Sequence, residues 1–427
     1  MVDGNEYIFP NIKELIDYLL NTEAKELSLD FSRQNAPKMY IPQINPFLYP
    51  YAQVDVVEPN NIQYPLGAFF NDASPDKFIM TRLKSGRYSL KPNLKDRMFL
   101  FRGESEFHSP CFPNLYRDTT QSYFIEEMMR GQEMFLLILS HPLVQLLDTG
   151  IELKGQTVRF EMNLWGVSQH YYNKTSLLDL TSDPEVAMFF ATCKYDAVND
   201  KYTPITDENH KPGVIYFYTL DSKEDFKHLP NGKNSPLSTI GLQVFPRSGK
   251  QKGFLYYLEK GENFNNVSRL RAFRFKHDAN MSEEIYDKFH GGDSLFQTDI
   301  LTSHWKKYNQ DAKVISNRTI FLNHLFNKDK SIDLLTREIK TFGYEVRNYI
   351  PHFDPDELDS YFAEAKTRYW PGFCQQIHIP GDDGTMKQEL LNIPNNPRYS
   401  WAFESGQAHV ISPNDGYLMK IYQDCLK

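Results

Sequence analysis

The hydrophobic and polar positions change period along the chain, and the changes divide it into three parts. Near the start, Ile12, Leu15, Ile16 and Leu19 recur at the spacing of one helix face, directly after Asn11, a residue suited to capping. A proline-rich aromatic stretch follows, YIPQINPFLYPYAQVDVVEPNN, Tyr40 to Asn61. It is too apolar for a disordered linker, so residues 1–94 read as an irregular extension packed on the main body.

From 95 to 276, strand and helix patterns alternate. The apolar run Met98 to Phe101 predicts a buried strand over 97–101 that ends in a turn, Phe101-Arg102-Gly103. A helical region spans about 121–148, and its stretch MFLLILS is apolar on all sides, as expected of a buried helix. The segment QTVRFEMNLWGVSQHYY predicts a second helix with Phe160, Leu164, Val167 and Tyr171 on one face, stopped by a left-handed Asn173. Ser176 to Thr181 reads as a short strand. Ser182 or Asp183 then caps a helix, with Pro184 in its first turn and Glu185 closing a box back to Ser182. GVIYFYTL and later aromatic runs predict further strands to 276.

Residues 277–427 read as a mostly helical C-terminal region. Its clearest start is DPDELD, with Asp354 as cap, Pro355 as first helical residue and Glu357 as third. That stretch lacks the glycine and distal glutamate of a calcium loop. The expected class is α+β, a mixed sheet with flanking helices.

Composition changes this picture little. With 41% hydrophobic and 24% charged residues, the 427-residue chain has ample material for a core. A net charge of −8 argues against wholesale coating of nucleic acid. One basic segment, Arg247 to Lys276, holds eight Lys/Arg against two acids with aromatics between them, the pattern of either an ordinary exposed face or a single-strand surface. Cys111, Cys193, Cys374 and Cys425 show no metal-ligand spacing and no CxxC, which suggests a reducing compartment. The first residues lack a signal-peptide layout and no apolar run reaches membrane-helix length, so a soluble, cytoplasmic protein without a membrane partner is expected. Walker, GxGxxG, GxSxG and HExxH motifs are all missing from the sequence.

Three segments carry chemistry together. The first is Phe101-Arg102-Gly103. The second is SQHYYNKTSLLDLTSDPEVAMFFA, with Gln169, His170, Tyr171, Thr175, Leu177, Leu178, Asp179, Thr181, Pro184, Val186, Ala187, Phe190 and Ala191 at the matching places. The third is PRSGKQKGFLYY, with Arg247, Gln251, Gly253 and Phe254. In this order they resemble the FRG domain family, and the resemblance covers about 95–276. The chain departs from the family pattern at Tyr172-Asn173, where a glycine is usual, at Ser176 in place of an arginine, and at Leu180 in place of a tryptophan. The change at Ser176 would remove one basic contact to an anion.

The family layout in turn looks like that of ADP-ribosyltransferases, in which an early-strand arginine holds NAD and a later element supplies a Glu or Gln. That resemblance implies NAD as substrate, with no metal. Cleavage of the nicotinamide–ribose bond would pass through an oxocarbenium-like state. Arg102 would grip phosphate or ribose and Gly103 would let backbone approach the ligand. Gln169, His170, Asp179, Thr181, Ser182 and Arg247 would complete the binding site, and Gln251 or Glu104 would stand nearest the reacting carbon. The partners implied are a small nucleotide and an acceptor protein or nucleic acid, as in a bacterial toxin or defence effector. Two other readings remain open: a non-catalytic module for nucleotide or nucleic acid, and an NAD glycohydrolase. Arg102 could equally form a buried ion pair with Asp179.

Overall fold

The computed structural model describes residues 7–29, 56–57, 63–64, 76–82, 85–94, 97–118, 120–171, 173–207, 209–220, 225, 236–308, 313–326, 328–380, 382–404 and 416–426. The proline-rich stretch from 40 to 61 lies outside them, apart from 56–57.

Seven strands form the central sheet. In chain order they are β1 (Ile8–Phe9), β2 (Phe99–Glu104), β3 (Leu177–Thr181), β4 (Gly213–Thr219), β5 (Leu237–Thr239), β6 (Gly253–Tyr257) and β7 (Leu270–Phe275). Across the sheet they run β1-β7-β4-β2-β3-β6-β5. Only β1 and β7 pair in parallel; every other neighbour is antiparallel. The mixed sheet and α+β class expected from the pattern are present, and the N-terminal part adds its own edge strand.

The helices that bear on the site are α1 (Ile12–Leu29), α2 (Gln121–Leu139), α3 (Pro142–Thr149), α4 (Leu164–His170), α5 (Pro184–Thr192), α6 (Pro246–Lys250) and α7 (Ala279–Lys288). The periodic residues of α1 are all buried, and Asn11 caps it by accepting the Glu14 N–H at 2.9 Å. The region from 121 to 148 is two helices rather than one. Pro142 has no N–H to continue the first, and His141 caps the second through Nδ1. After 277 the chain is mainly helical, and its buried Tyr361, Trp370, Phe373 and Tyr422 share one core with α2 and α3.

Three local expectations are corrected. The Phe101-Arg102-Gly103 segment is no turn, because β2 continues to Glu104. The expected helix over 156–172 is a hairpin strand, Gln156–Val158, followed by the short α4. Asn163 starts that helix by accepting the Gly166 N–H at 3.0 Å. The cap of α5 is Asp183, which accepts the Glu185 N–H at 3.0 Å, and Glu185 pairs with Lys288 instead of closing a box.

Alternation along β2 sends its residues to two faces of the sheet. Phe99 and Phe101 join Ile215, Phe217, Phe273 and Phe275 under α1 and α5. Leu100 joins Leu178, Leu180, Tyr216, Tyr218 and Phe254 on the opposite face, covered by loop residues such as Cys111 and Phe264. The start of β2 is held by Glu23 of α1, whose carboxylate accepts the N–H groups of Met98 and Phe99 at 2.6 and 2.9 Å and pairs with Arg97 at 2.8 Å.

Gly103 sits on the α5 side, directly against that helix. A Cβ there would lie 1.8 Å from the Ala187 carbonyl oxygen and 2.9 Å from the Ala191 nitrogen. Both obstacles are backbone, so neither can swing aside. Gly103→Ala should therefore lower unfolding stability by at least about 2 kcal/mol. Chemical denaturation reads this directly, and an unchanged midpoint would mean that α5 is not seated on β2 in this way.

Candidate ligand-binding site

Arg102 and Glu104 stand two residues apart on β2, so both side chains leave the same face of the sheet. The guanidinium donates from Nε to Glu104 Oε1 at 2.9 Å, and Nη2 lies 2.7 Å from the same oxygen. Nη1 donates to the main-chain carbonyl of Asp179 at 2.9 Å. Cys111 and Tyr216 pack beside this pair. Burial pushes the Cys111 thiol up to about 11, and the Glu104 carboxylate adds to the shift, so the thiol stays protonated at neutral pH. Burial also opposes the charge on Arg102, but Glu104, Cys111 and Asp179 more than offset it.

Asp179 turns the other way. Phe101 pairs with Thr181, so Thr181 and Asp179 share the face of Phe101 and Gly103, opposite Arg102. On that face is a cavity of about 340 Å³. Gln169 and His170 reach it from the end of α4, Asp179 from β3, and Arg247 and Gln251 from α6 and its C-terminus. The structure thus brings five of the residues expected from sequence to one cavity. It does not bring Arg102, Gly103, Glu104, Thr181 or Ser182 to its wall. Thr181 instead ties β3 to α6, donating its hydroxyl to the Gln251 carbonyl at 2.7 Å and accepting the Asp183 N–H at 3.0 Å. Ser182 lines a different cleft, at the start of α5 beneath α1.

The cavity wall is charged yet aromatic. Arg247 is 2% exposed; it donates to the His170 carbonyl at 3.1 Å and its guanidinium lies 4.6 Å from the Tyr171 ring centre. His170 Nε2 stands 3.5 Å from Asp179 Oδ1. Neither atom makes a well-formed hydrogen bond among the described residues. Burial holds the His170 imidazole below its ordinary value; Asp179 and Gln251 work against the shift and Arg247 with it. Gln169 accepts the Thr175 hydroxyl, which fixes the turn between α4 and β3.

Several lining residues fall outside the three motif segments. Tyr202, from the hairpin after α5, stacks on Phe296 at 4.9 Å and 20°, a flat aromatic shelf beside the polar groups. Lys201 lines the cavity, as do Lys306 and Asp200, which form an ion pair. Gly291 and Gly292, both with positive φ, carry the chain past the mouth. The paired glycines were the only local sign of a close approach; the shelf arises from contacts distant in sequence.

The basic segment from Arg247 to Lys276 does not act as a unit. Arg247 is buried in the cavity, Lys252 pairs with Asp183 at 2.9 Å, Arg269 pairs with Asp225 at 2.8 Å, and Arg274 lies over the Phe107 ring.

Comparison with protein families matches residues 97–200 to the FRG domain, so the chain carries an FRG domain over about a quarter of its length. The match includes Arg102 and the segment from Gln169 to Ala191. The third element, Arg247 to Phe254, lies beyond it, although β6 completes the same sheet. No curated protein and no solved structure matched the chain.

The buried His170 sets a pH dependence. Its folded pKa lies below that of a free imidazole, ordinarily about 6.5. Below that value the unfolded chain takes up a proton that folded His170 resists, so stability falls as pH drops. The melting temperature should decline between pH 7 and pH 5. The unfolding free energy of His170→Gln should decline less steeply, by up to about 1.4 kcal/mol per pH unit. Parallel curves for the two proteins would show that His170 is not buried as a neutral ring.

Proposed function

We propose that the FRG domain binds a nucleotide in the Asp179–His170 cavity, and that NAD is the ligand its chemistry suits best. The observation that carries the reading is the pair of buried polar atoms, His170 Nε2 and Asp179 Oδ1, facing a cavity that also holds the Tyr202–Phe296 shelf. Buried polar atoms without partners are costly unless something completes them. Ribose hydroxyls would do so. At about 340 Å³ the cavity is at the small end for ligand pockets, so a dinucleotide would seat one half there and extend outwards.

In this reading the aromatic shelf receives the flat ring and Asp179 accepts from the ribose. Lys201 and Lys306 stand at the wall where phosphate oxygens would lie. Cleavage would break the bond between ribose C1′ and the nicotinamide nitrogen, with the electron pair leaving on nicotinamide. The positive charge developing on the sugar would face the Asp179 carboxylate, while Gln251 orients the ribose. An oxygen or nitrogen of the acceptor would then bond to C1′ and lose its proton. The acceptor is a protein or nucleic acid for a transferase and water for a glycohydrolase. The likeness to ADP-ribosyltransferases rests on the chain order of Arg102, Leu178 to Ser182 and Gln251 alone, since Arg102 does not face the cavity. In this arrangement Arg102 and Glu104 serve the site by holding β2 to β3, on the far side of the sheet from the ligand.

Calorimetric titration of the full chain with NAD, ADP-ribose and AMP tests the reading. Saturable binding of at least one is expected, weakened about tenfold or more by Asp179→Asn, which keeps the shape and removes the charge. Labelled NAD then separates the outcomes: label on macromolecule for a transferase, free ADP-ribose for a hydrolase, intact NAD for a binding module. Failure of all three ligands to bind the folded protein would end the proposal.

A further inference from the structure

A second cavity, of about 620 Å³, lies between α3, the segment 242–246, and the C-terminal helices Pro355–Glu364 and Trp370–Gln375. Its wall is built of rings: His141, Phe245, Tyr361, Tyr369, Trp370 and Phe373. Two of these pairs are stacked, Tyr361 on Tyr369 at 15° and Trp370 on Phe373 at 30°. Between the two C-terminal helices the chain makes a π-helical turn, Ala365–Tyr369, a form that is rare and concentrated at functional sites. That turn brings Arg368 and Tyr369 to the cavity, and Tyr369 is 44% exposed there in spite of its stacked neighbour.

The carboxylates, Arg368 and His141 on this wall are engaged. Glu357 accepts from the Asp354 N–H at 2.7 Å and lies 2.7 Å from His304 Nδ1. Asp299 holds the Tyr171 hydroxyl and the Thr302 N–H. Arg368 pairs with Glu364 at 2.7 Å. His141 accepts the Leu143 N–H, and burial pushes its pKa down to about 3, so the ring is neutral. Gln243 carries a buried acceptor that is not engaged. It is 5% exposed, its amide nitrogen donates to the Ile240 carbonyl, and its Oε1 has no partner among the described residues. The donated bond fixes which way the amide points, leaving a pure acceptor unfilled.

We propose that this cavity binds a free nucleobase or nucleoside, a planar heteroaromatic ring whose amino group donates to Gln243 Oε1 while its face stacks on Tyr369. Aromatic walls favour a ring of this kind whatever its identity, and the single empty acceptor selects one bearing an N–H donor. This cavity adjoins the Asp179 cavity at Thr298, which lines both, but does not rest on the function proposed there.

The test is ligand-observed saturation-transfer NMR on the full chain with adenosine, cytidine and guanosine, none of which carries a phosphate. At least one should bind saturably. Tyr369→Ala, at an exposed position that tolerates truncation, should weaken it about tenfold, and Gln243→Met, which keeps bulk but removes the acceptor, should do the same. Asp179→Asn should leave it unchanged. If Gln243→Met does not fold, Tyr369→Ala decides alone. The proposal is overturned if none of the three nucleosides binds, if binding survives both substitutions, or if Asp179→Asn abolishes it.

Discussion

The central sheet is joined at its middle by one main-chain pairing, Phe101 with Thr181. On either side the ladders are longer, with six paired residues between β2 and β4 and five between β3 and β6. Two well-paired halves thus meet across a narrow seam. The guanidinium of Arg102 closes it, gripping Glu104 on its own strand and the Asp179 carbonyl on the next. A planar fork with donors in fixed directions suits that task, which a lysine could not reproduce. The seam also explains the glycine beside it, since α5 crosses β2 with its backbone against Gly103.

Because the seam is held from one face, the other face is free to carry a site. Strand alternation turns the Asp179 side chain towards His170, Arg247 and Gln251 while its carbonyl remains with Arg102. One residue therefore belongs to both the clasp and the cavity. The Thr181 hydroxyl, bonded to the Gln251 carbonyl, fixes the end of α6 against β3, so the cavity wall inherits its geometry from the sheet. Sites carried by strands and helix ends are held more exactly than sites on loops.

Elements with a clear period were legible in the sequence. The buried face of α1, the strands β3 and β4, and the helix start at Asp354 all followed from local pattern. Arg102 and Gly103 misled because polar and small residues at the end of an apolar run ordinarily mark a turn, whereas here Arg102 meets Glu104 on the same strand and Gly103 meets the backbone of α5. The helix expected over 156–172 failed for a similar reason. Its apolar spacing was compatible with a helix, but Lys154 and Gly155, both with positive φ, turn the chain into a hairpin. The motif elements identified Asp179, His170, Gln169, Arg247 and Gln251 as companions, yet they could not tell which face Arg102 would take. That depends on the register of one pairing. The shelf of Tyr202 and Phe296 was out of reach, because those residues lie far apart in sequence and belong to no motif segment.

A double-mutant cycle in unfolding free energy tests the clasp most directly. Arg102→Ala combined with Glu104→Ala should show a coupling of about 1.5 kcal/mol or more, as expected for a largely buried charge-assisted pair. Arg102→Ala combined with Asp179→Ala should show far less, because the bond between them uses the Asp179 main chain, which the substitution leaves in place. Strong coupling to the Asp179 side chain with none to Glu104 would contradict the division of this site between two faces of the sheet.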